Sequence, residues 1–448
     1  MRDFLPEDVR RREFVIGIIK RVYERYGFEP LETAAVENLD TLMEKAGEES
    51  NQLIFKILKR GEHEASGQAD LGLRYDLTVP LARVIAHHQA KLPRLFKRYQ
   101  IQPVWRADRP GRGRFREFYQ CDVDSLGSTS PVIEAEICAA LSDALTELGF
   151  TDFTIRINHR ELLARLLTVF GIPPELHGSA LVALDKLDKI GAEGVEKEFV
   201  ERGVELKAGQ LLLGYFEELR KAPFWSAPNT DWQKANREAL DFALERAGDS
   251  LRGPIINLQE IISLAAVTSA GQRFRFDPTL ARGLSYYTGA IMEANVPDLA
   301  GSLGGGGRYD NLVGMFLGQS VPACGFSLGL ERILVVMGER NMFPPSLATT
   351  PADVMVAVFD AKDTPHALRV AQTLRASGLR VMVYPDADKI GKQIKYADSQ
   401  RIPFVAILGG DEIANGTVTV KHLAAQTQTT YDQAAAGAAI LEGLKHRG

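Results

Sequence analysis

Three cysteines in 448 residues, Cys121, Cys138 and Cys324, are too few and too far apart to form a disulfide framework or a C-x-x-C metal knuckle. Each is expected to be a small buried hydrophobe. The eight histidines show no H-E-x-x-H spacing, and His87-His88 falls in a helix-like stretch expected at the surface, so no protein-held transition metal is expected. Nowhere do 18 apolar residues run together, which leaves no candidate membrane span. The opening "MRDFLPEDVRRREF" is charged and lacks the apolar stretch of a secretory signal, which predicts a cytoplasmic chain. There is no internal repeat, and only "AAAGAA" (434–439) approaches low complexity.

The chain does have enough length for two or three cores, with the 45% apolar and 25% charged residues of a globular protein. Net charge is −5, but it is unevenly spread. Between Lys91 and Arg116 stand nine Lys/Arg and one acid, Asp108, a local +8. Such a patch is either solvated surface or a phosphate-attracting field, since the chain average does not cancel charge at short range.

Residues 7–26 carry apolar positions at helical spacing and stop at Gly27; residues 131–149 do the same, with Pro131 in the first turn. "TDFTIRIN" (151–158) alternates like a strand. From about 169 to 255 the segments are amphipathic and helical, and glycine-rich, strand-like sequence resumes near Gly271. This pattern predicts a helical insertion in an α+β domain. After the Pro/Ser/Thr stretch "MFPPSLATTPAD" (342–353), strands at 354–359, 380–384 and 403–408 alternate with helices at 364–377 and 387–400. "GTVTVKHL" and a last helix near 431–444 complete a separate α/β domain of about 100 residues.

The most informative segment is 96–126, "FKRYQIQPVWRADRPGRGRFREFYQCDVDSL". At period two, Arg98, Gln100, Gln102, Val104, Arg106 and Asp108 share one face, and Arg116, Phe118, Gln120, Asp122 and Asp124 share another. A hairpin joined by the basic "RPGRGR" loop results. Its polar face suits either solvent or a ligand: fork-shaped guanidiniums grip phosphate, Phe118 offers a stacking ring, and carboxylates and amides accept N–H donors.

"RGRFREFYQCDVD" resembles motif 2 of the class II aminoacyl-tRNA synthetases, and "GFSLGLERI" (325–333) resembles motif 3. "RGLSYYTGA" and "LRYDLTVPLAR" (73–83) are similar to segments of the histidyl-tRNA synthetases in their eukaryote-like branch, and the last hundred residues resemble their anticodon-binding domain. The resemblance implies an antiparallel catalytic sheet flanked by helices (1–168 and 256–342), a helical insertion (169–255), a linker (343–352) and an α/β anticodon-binding domain (353–448). It implies ATP-dependent activation of L-histidine and its transfer to tRNA(His), with Mg2+ accompanying ATP and a homodimer as the assembly. A catalytically silent paralogue, the regulatory subunit of ATP phosphoribosyltransferase, is the alternative; such paralogues generally lack the anticodon-binding domain.

Residue by residue, the family pattern implies that Arg106 and Arg282 act on the α-phosphate, with Arg106 also meeting the histidine carboxylate. Arg114, Phe118, Asp108 and Arg332 would hold ATP. Asp76 and Gln120 would take the ammonium group, beside Leu77 and Thr78, while Asp124, Tyr286 and Tyr287 would surround the imidazole. Asp76 also reads as a helix cap, the glycines 304–307 as a flexible loop, and Lys389, Lys392 and Lys395 as a solvated helix face. Strict alternation would place Tyr286 and Tyr287 on opposite faces, so a strand mouth or bulge is expected there. Two positions depart from the pattern: Ser285 stands where the motif has Asp, and Ala34 where motif 1 has Pro. The segment before "MRDFLP" is usually a few residues longer in the family.

Overall fold

The computed structural model describes residues 1–46, 52–61, 66–225, 231–281, 286–345, 347 and 350–445. The chain divides into two compact units, Met1–Phe4 with Asp8–Phe343, and Leu5–Glu7 with Pro344–Gly448.

An eight-stranded sheet organises the first unit. Its order across the sheet is Glu29–Pro30, Phe96–Trp105, Glu117–Leu126, Ala323–Gly329, Gly304–Arg308, Ala290–Asn295, Thr154–His159 and Phe274–Phe276. Pairing is antiparallel through the middle and parallel at both edges. A parallel pair needs a long crossover. Between Thr154–His159 and Phe274–Phe276 that crossover is the helical block, which runs from Arg160–Val169 to Arg252–Ala265. A continuous apolar core joins these helices to the sheet: Phe199, Leu212 and Phe216 belong with Ile155, Ile157 and Phe274.

Helix Pro6–Arg25 buries Val15, Ile18, Ile19, Val22 and Tyr23 at i, i+3, i+4 spacing against this core, and stops before Gly27, whose φ is +73°. Two observations fix it further: Arg12 Nη1 donates to Glu331 Oε1 at 2.7 Å, and Tyr23 Oη donates to the Cys121 carbonyl at 3.2 Å. All three cysteines are buried and free.

The predicted hairpin is present and in register from Phe96↔Leu126 to Trp105↔Glu117. Its strands are shorter than expected, because the chain leaves the sheet at Arg106 and returns at Glu117 through the basic loop. The glycine run is not a loop. Gly304–Arg308 is a central strand, and a Cβ on Gly306 would stand 2.1 Å from the Gly325 carbonyl oxygen. Only glycine lets the two backbones come this close.

The second unit is a five-stranded sheet ordered Val381–Val383, Val354–Val358, Phe404–Leu408, Thr417–His422, Thr427–Asp432. The first three strands are parallel, with helices Thr364–Ala376 and Ile390–Ser399 between them. The final strand occupies residues expected to open the last helix, which instead runs Ala436–Lys445.

Candidate active site

The polar face of the hairpin forms one wall of a cavity of about 380 Å³ in the first unit. The register sets Arg98 opposite Asp124, Gln100 opposite Asp122, Gln102 opposite Gln120 and Val104 opposite Phe118. Along one strand, therefore, Phe118, Gln120, Asp122 and Asp124 follow each other at intervals of about 7 Å. The same sheet continues beside it through the strand pair Ala323–Gly329 and Gly304–Arg308, where the absence of side chains makes the room. Gly325 is indispensable here: a Cβ on it would fall 1.9 Å from Asp124 Oδ1.

At the inner end the cavity is acidic. Asp76, Asp122 and Asp124 are 1–2% exposed and line it. Their principal counter-charge is Arg98, which is 0% exposed, with Nη2 at 2.7 Å from Asp124 Oδ2 and 3.9 Å from Asp122 Oδ2. Asp124 Oδ1 accepts the hydroxyl of Tyr309. Asp76 does cap a helix, since its Oδ1 accepts the Val79 N–H at 3.1 Å in the first turn of Thr78–His88, yet its Oδ2 is buried with no partner among the described residues. Gln120 donates to Ser327 Oγ at 2.9 Å, and among the described residues neither its Oε1 nor Asp122 Oδ1 has a partner. Burial pushes the Asp76 carboxyl up to about 6 and the Asp122 carboxyl up to about 7, against the lowering pull of Arg98 on both. Burial also raises Asp124, while Arg98 and the Tyr309 hydrogen bond pull it down. An excess of buried acid with unpaired acceptors calls for a cation bearing N–H donors.

The outer end has the opposite sign. Arg106 is half-buried, its Nε donating to the Tyr75 carbonyl at 2.8 Å and its guanidinium 5.2 Å from the Phe118 ring centre. Arg114 is exposed on the loop, and Arg332, in the first turn of helix Leu330–Glu339, donates to the Ser302 carbonyl. With Asp108 and Phe118 all three line the cavity. Guanidiniums beside an aromatic face suit a nucleotide's phosphates and base.

Tyr286 and Tyr287 also line the cavity. Their rings meet edge to face at 5.1 Å, and Tyr286 meets Tyr309 at 5.8 Å. Burial pushes all three phenols well up, so they are neutral donors. Both residues precede strand Ala290–Asn295, so strand alternation does not separate them. Arg282 and Ser285 lie outside the described residues. Thr78 lines the cavity, whereas Leu77 is buried behind it and offers its carbonyl to Arg98 at 3.3 Å. Sequence reasoning assigned no role to Asp122, Glu293, Tyr309 or Ser327, all of which line the cavity. Asp122 is visible on the polar face, and Tyr309 stands two residues after the glycine run 304–307.

The antiparallel sheet, its motif 2 hairpin and the motif 3 helix that supplies Arg332 define the catalytic fold of a class II aminoacyl-tRNA synthetase. The family described as Histidyl-tRNA synthetase matches residues 1–333, and an Anticodon binding domain matches residues 353–442. The chain is 38% identical to the histidine--tRNA ligase of Flavobacterium johnsoniae over 99% of its own length and 97% of the relative's. With the histidine--tRNA ligase of Christiangramia forsetii it shares 40% over 96% of each chain. The crystal structure of histidyl-tRNA synthetase from Nostoc sp. PCC 7120 is similar with a TM-score of 0.78 and 31% identity, covering 98% of this chain and 97% of that one. The chain belongs to the histidyl-tRNA synthetase family.

Proposed function

We propose that the chain is an ATP-dependent histidine--tRNA ligase, which activates L-histidine as histidyl-adenylate and passes the histidyl group to the 3′ end of tRNA(His). The observation that carries this reading is the polarity of this cavity, with buried acids at one end and Phe118 and three arginines at the other. A cationic amino acid fits the first and ATP, taken as its magnesium complex, fits the second.

In the first step a carboxylate oxygen of histidine attacks the α-phosphorus, and the bond to the bridging oxygen breaks to release pyrophosphate. Two anions meet, so preorganised positive charge is the main need. Arg106, anchored on the Tyr75 carbonyl, holds both the carboxylate and the α-phosphate, and Arg282 neutralises charge on the same phosphate. Arg114 and Arg332 take the β/γ end, Phe118 stacks on adenine, and Asp108 belongs to the same end. Asp76, Gln120 and Thr78 seat the ammonium group; Asp124, Tyr286 and Tyr287 enclose the ring, and Leu77 contributes its backbone. A site built around a polar group rejects analogues lacking it by roughly 10⁴–10⁵. The second step transfers the acyl group to a ribose hydroxyl. Residues 1–168 with 256–342 act as the catalytic domain, 169–255 as its insertion, and 353–448, beyond the linker 343–352, reads the tRNA. The working form is a cytoplasmic homodimer.

Histidine-dependent exchange of pyrophosphate into ATP tests the reading. Exchange is expected with histidine and not with the other amino acids; its absence from the intact chain would overturn it. Arg282→Ala is expected to slow exchange by roughly 10²–10³ while changing histidine affinity far less.

A further inference from the structure

The cavity floor holds more acid than the seats assigned above require. Asp124 accepts the Tyr309 hydroxyl on Oδ1 and has the Arg98 guanidinium 2.7 Å from Oδ2, an ion pair with no hydrogen bond to that oxygen among the described residues. Asp122 lacks so close a counter-charge: it is 2% exposed, faces the cavity, hydrogen-bonds with Ser327, stands 3.9 Å from Arg98, and its Oδ1 has no partner among the described residues. Two further acceptors lining the same cavity are equally unsatisfied, Asp76 Oδ2 and Gln120 Oε1, on residues at most 9% exposed. A buried acceptor left unmade is costly, so all three are built for donors that arrive with a ligand.

An ammonium group carries three N–H donors and one fixed positive charge, whereas a neutral imidazole carries one donor and no charge. Order along the strand agrees. Phe118 lies toward the nucleotide end, Asp124 beside Tyr309 and Tyr287 toward the ring end, and Gln120 and Asp122 lie between them. We infer that Asp122 is a third, specificity-determining ligand of the substrate's α-ammonium group, completing a three-acceptor seat with Asp76 and Gln120. The inference rests on the reading of the cavity as a histidine site.

Two probes separate this role from a structural one. L-Histidinol keeps the amino group and the ring, and 3-(imidazol-4-yl)propan-1-ol keeps only the ring. Asp122→Asn is expected to weaken histidinol by roughly tenfold or more, the loss of a hydrogen bond to a charged group, and to change binding of the des-amino alcohol by less than about threefold. Equal weakening of both would mean that Asp122 merely holds Arg98, and would overturn the inference. Asp124→Asn is the contrast, weakening both alcohols alike. The wild-type protein supplies a measurement that needs no variant. Arg98, Asp124, Asp76, Ser327 and Tyr287 face Asp122, and burial among them keeps it partly protonated near neutrality. Calorimetry at pH 7 in two buffers of different protonation enthalpy should show more proton release with histidinol than with the des-amino alcohol, and equal release would again overturn the inference. Wild-type protein with no histidine-dependent pyrophosphate exchange would instead sink the histidine reading itself.

Discussion

The two sheets of this chain handle burial in opposite ways. In the second unit Val354, Val356 and Val358 pack into one apolar cluster with helix Thr364–Ala376, while Met355 and Ala357 pack into another with helix Ile390–Ser399. Both faces are covered and both are apolar, as a parallel sheet requires. In the first unit only one face of the hairpin follows that rule, with Tyr99, Cys121 and Val123 in the core. The other buries Arg98, Gln100, Gln120, Asp122 and Asp124. A charged face that is buried rather than solvated is held at the expense of stability, and what it gains is a site whose electrostatics are set before the ligand arrives.

The sharpest way to break this comparison is Arg98→Met. It removes the guanidinium while leaving Asp122 and Asp124 buried, and unfolding by urea should show a loss on the order of 3–5 kcal/mol together with loss of histidine-dependent exchange. Val356→Ala in the second sheet should cost about 2 kcal/mol, by lost apolar burial and the cavity left behind, and leave exchange intact. If Arg98→Met proves stable and active, the buried array is not what shapes the floor.

Gly325→Ala follows in size. The new Cβ would occupy the space of the Asp124 carboxylate, at 1.9 Å from its Oδ1. Overpacking of this kind costs about 1–3 kcal/mol, and the displaced carboxylate should raise the KM for histidine with little change in the KM for ATP. Equal changes in both would place Asp124 outside the amino acid end.

A smaller effect lies in pH. Asp76 and Asp122, raised from 3.8 to about 6 and about 7, keep protons in the folded state that the unfolded chain has already released. The folded chain therefore binds more protons from about pH 4 to 7, and the stability they supply is complete below pH 4 and lost as pH rises through 6 and 7. Asp122→Asn should shallow that decline relative to wild type, as should saturating histidinol. A difference between the two proteins that grows below pH 4 would contradict the assignment.

What could be read before the fold was known follows the same division. Continuous apolar runs such as "VMVAV" and "FVAIL" announce covered strands, and the alternation of 96–126 announced a sheet with one polar face. Alternation alone does not say whether that face meets water or a cavity, because the residues that decide it come from elsewhere: Asp76 from a helix start, the glycine strand from far downstream, and Tyr309 from 185 residues beyond Asp124. The glycine run was ambiguous for the same reason, since a flexible loop and a strand pressed against its neighbour use the same residue. Spacing sets Asp122 on the polar face and gives it no task. Its unpaired oxygen is a property of the packing around Arg98, which spacing does not encode. The loop's arginines continue the alternation of strand Phe96–Trp105 after pairing has stopped, so spacing alone does not mark its end.

The smallest expected effect concerns the surface of the second unit. Helix Ile390–Ser399 carries Lys392 and Lys395, preceded by Lys389, a series that suits either solvent or nucleic acid. Lys392 is exposed and its Nζ pairs with Asp388 Oδ2 at 2.8 Å, one turn back, while Asp388 also accepts the Tyr384 hydroxyl. An exposed i, i+4 pair contributes little to stability. Its partner matters more for function, because a lysine already neutralised by a neighbouring carboxylate offers less field to a phosphate. Lys392→Ala should therefore leave melting temperature and pyrophosphate exchange unchanged and shift the KM for tRNA by less than about twofold, whereas Asp388→Asn, by freeing the charge, should tighten tRNA binding in low salt. A large rise in the tRNA KM of Lys392→Ala would show that the lysine leaves Asp388 for the nucleic acid, and would move this helix from the covered, structural side of the comparison to the functional one.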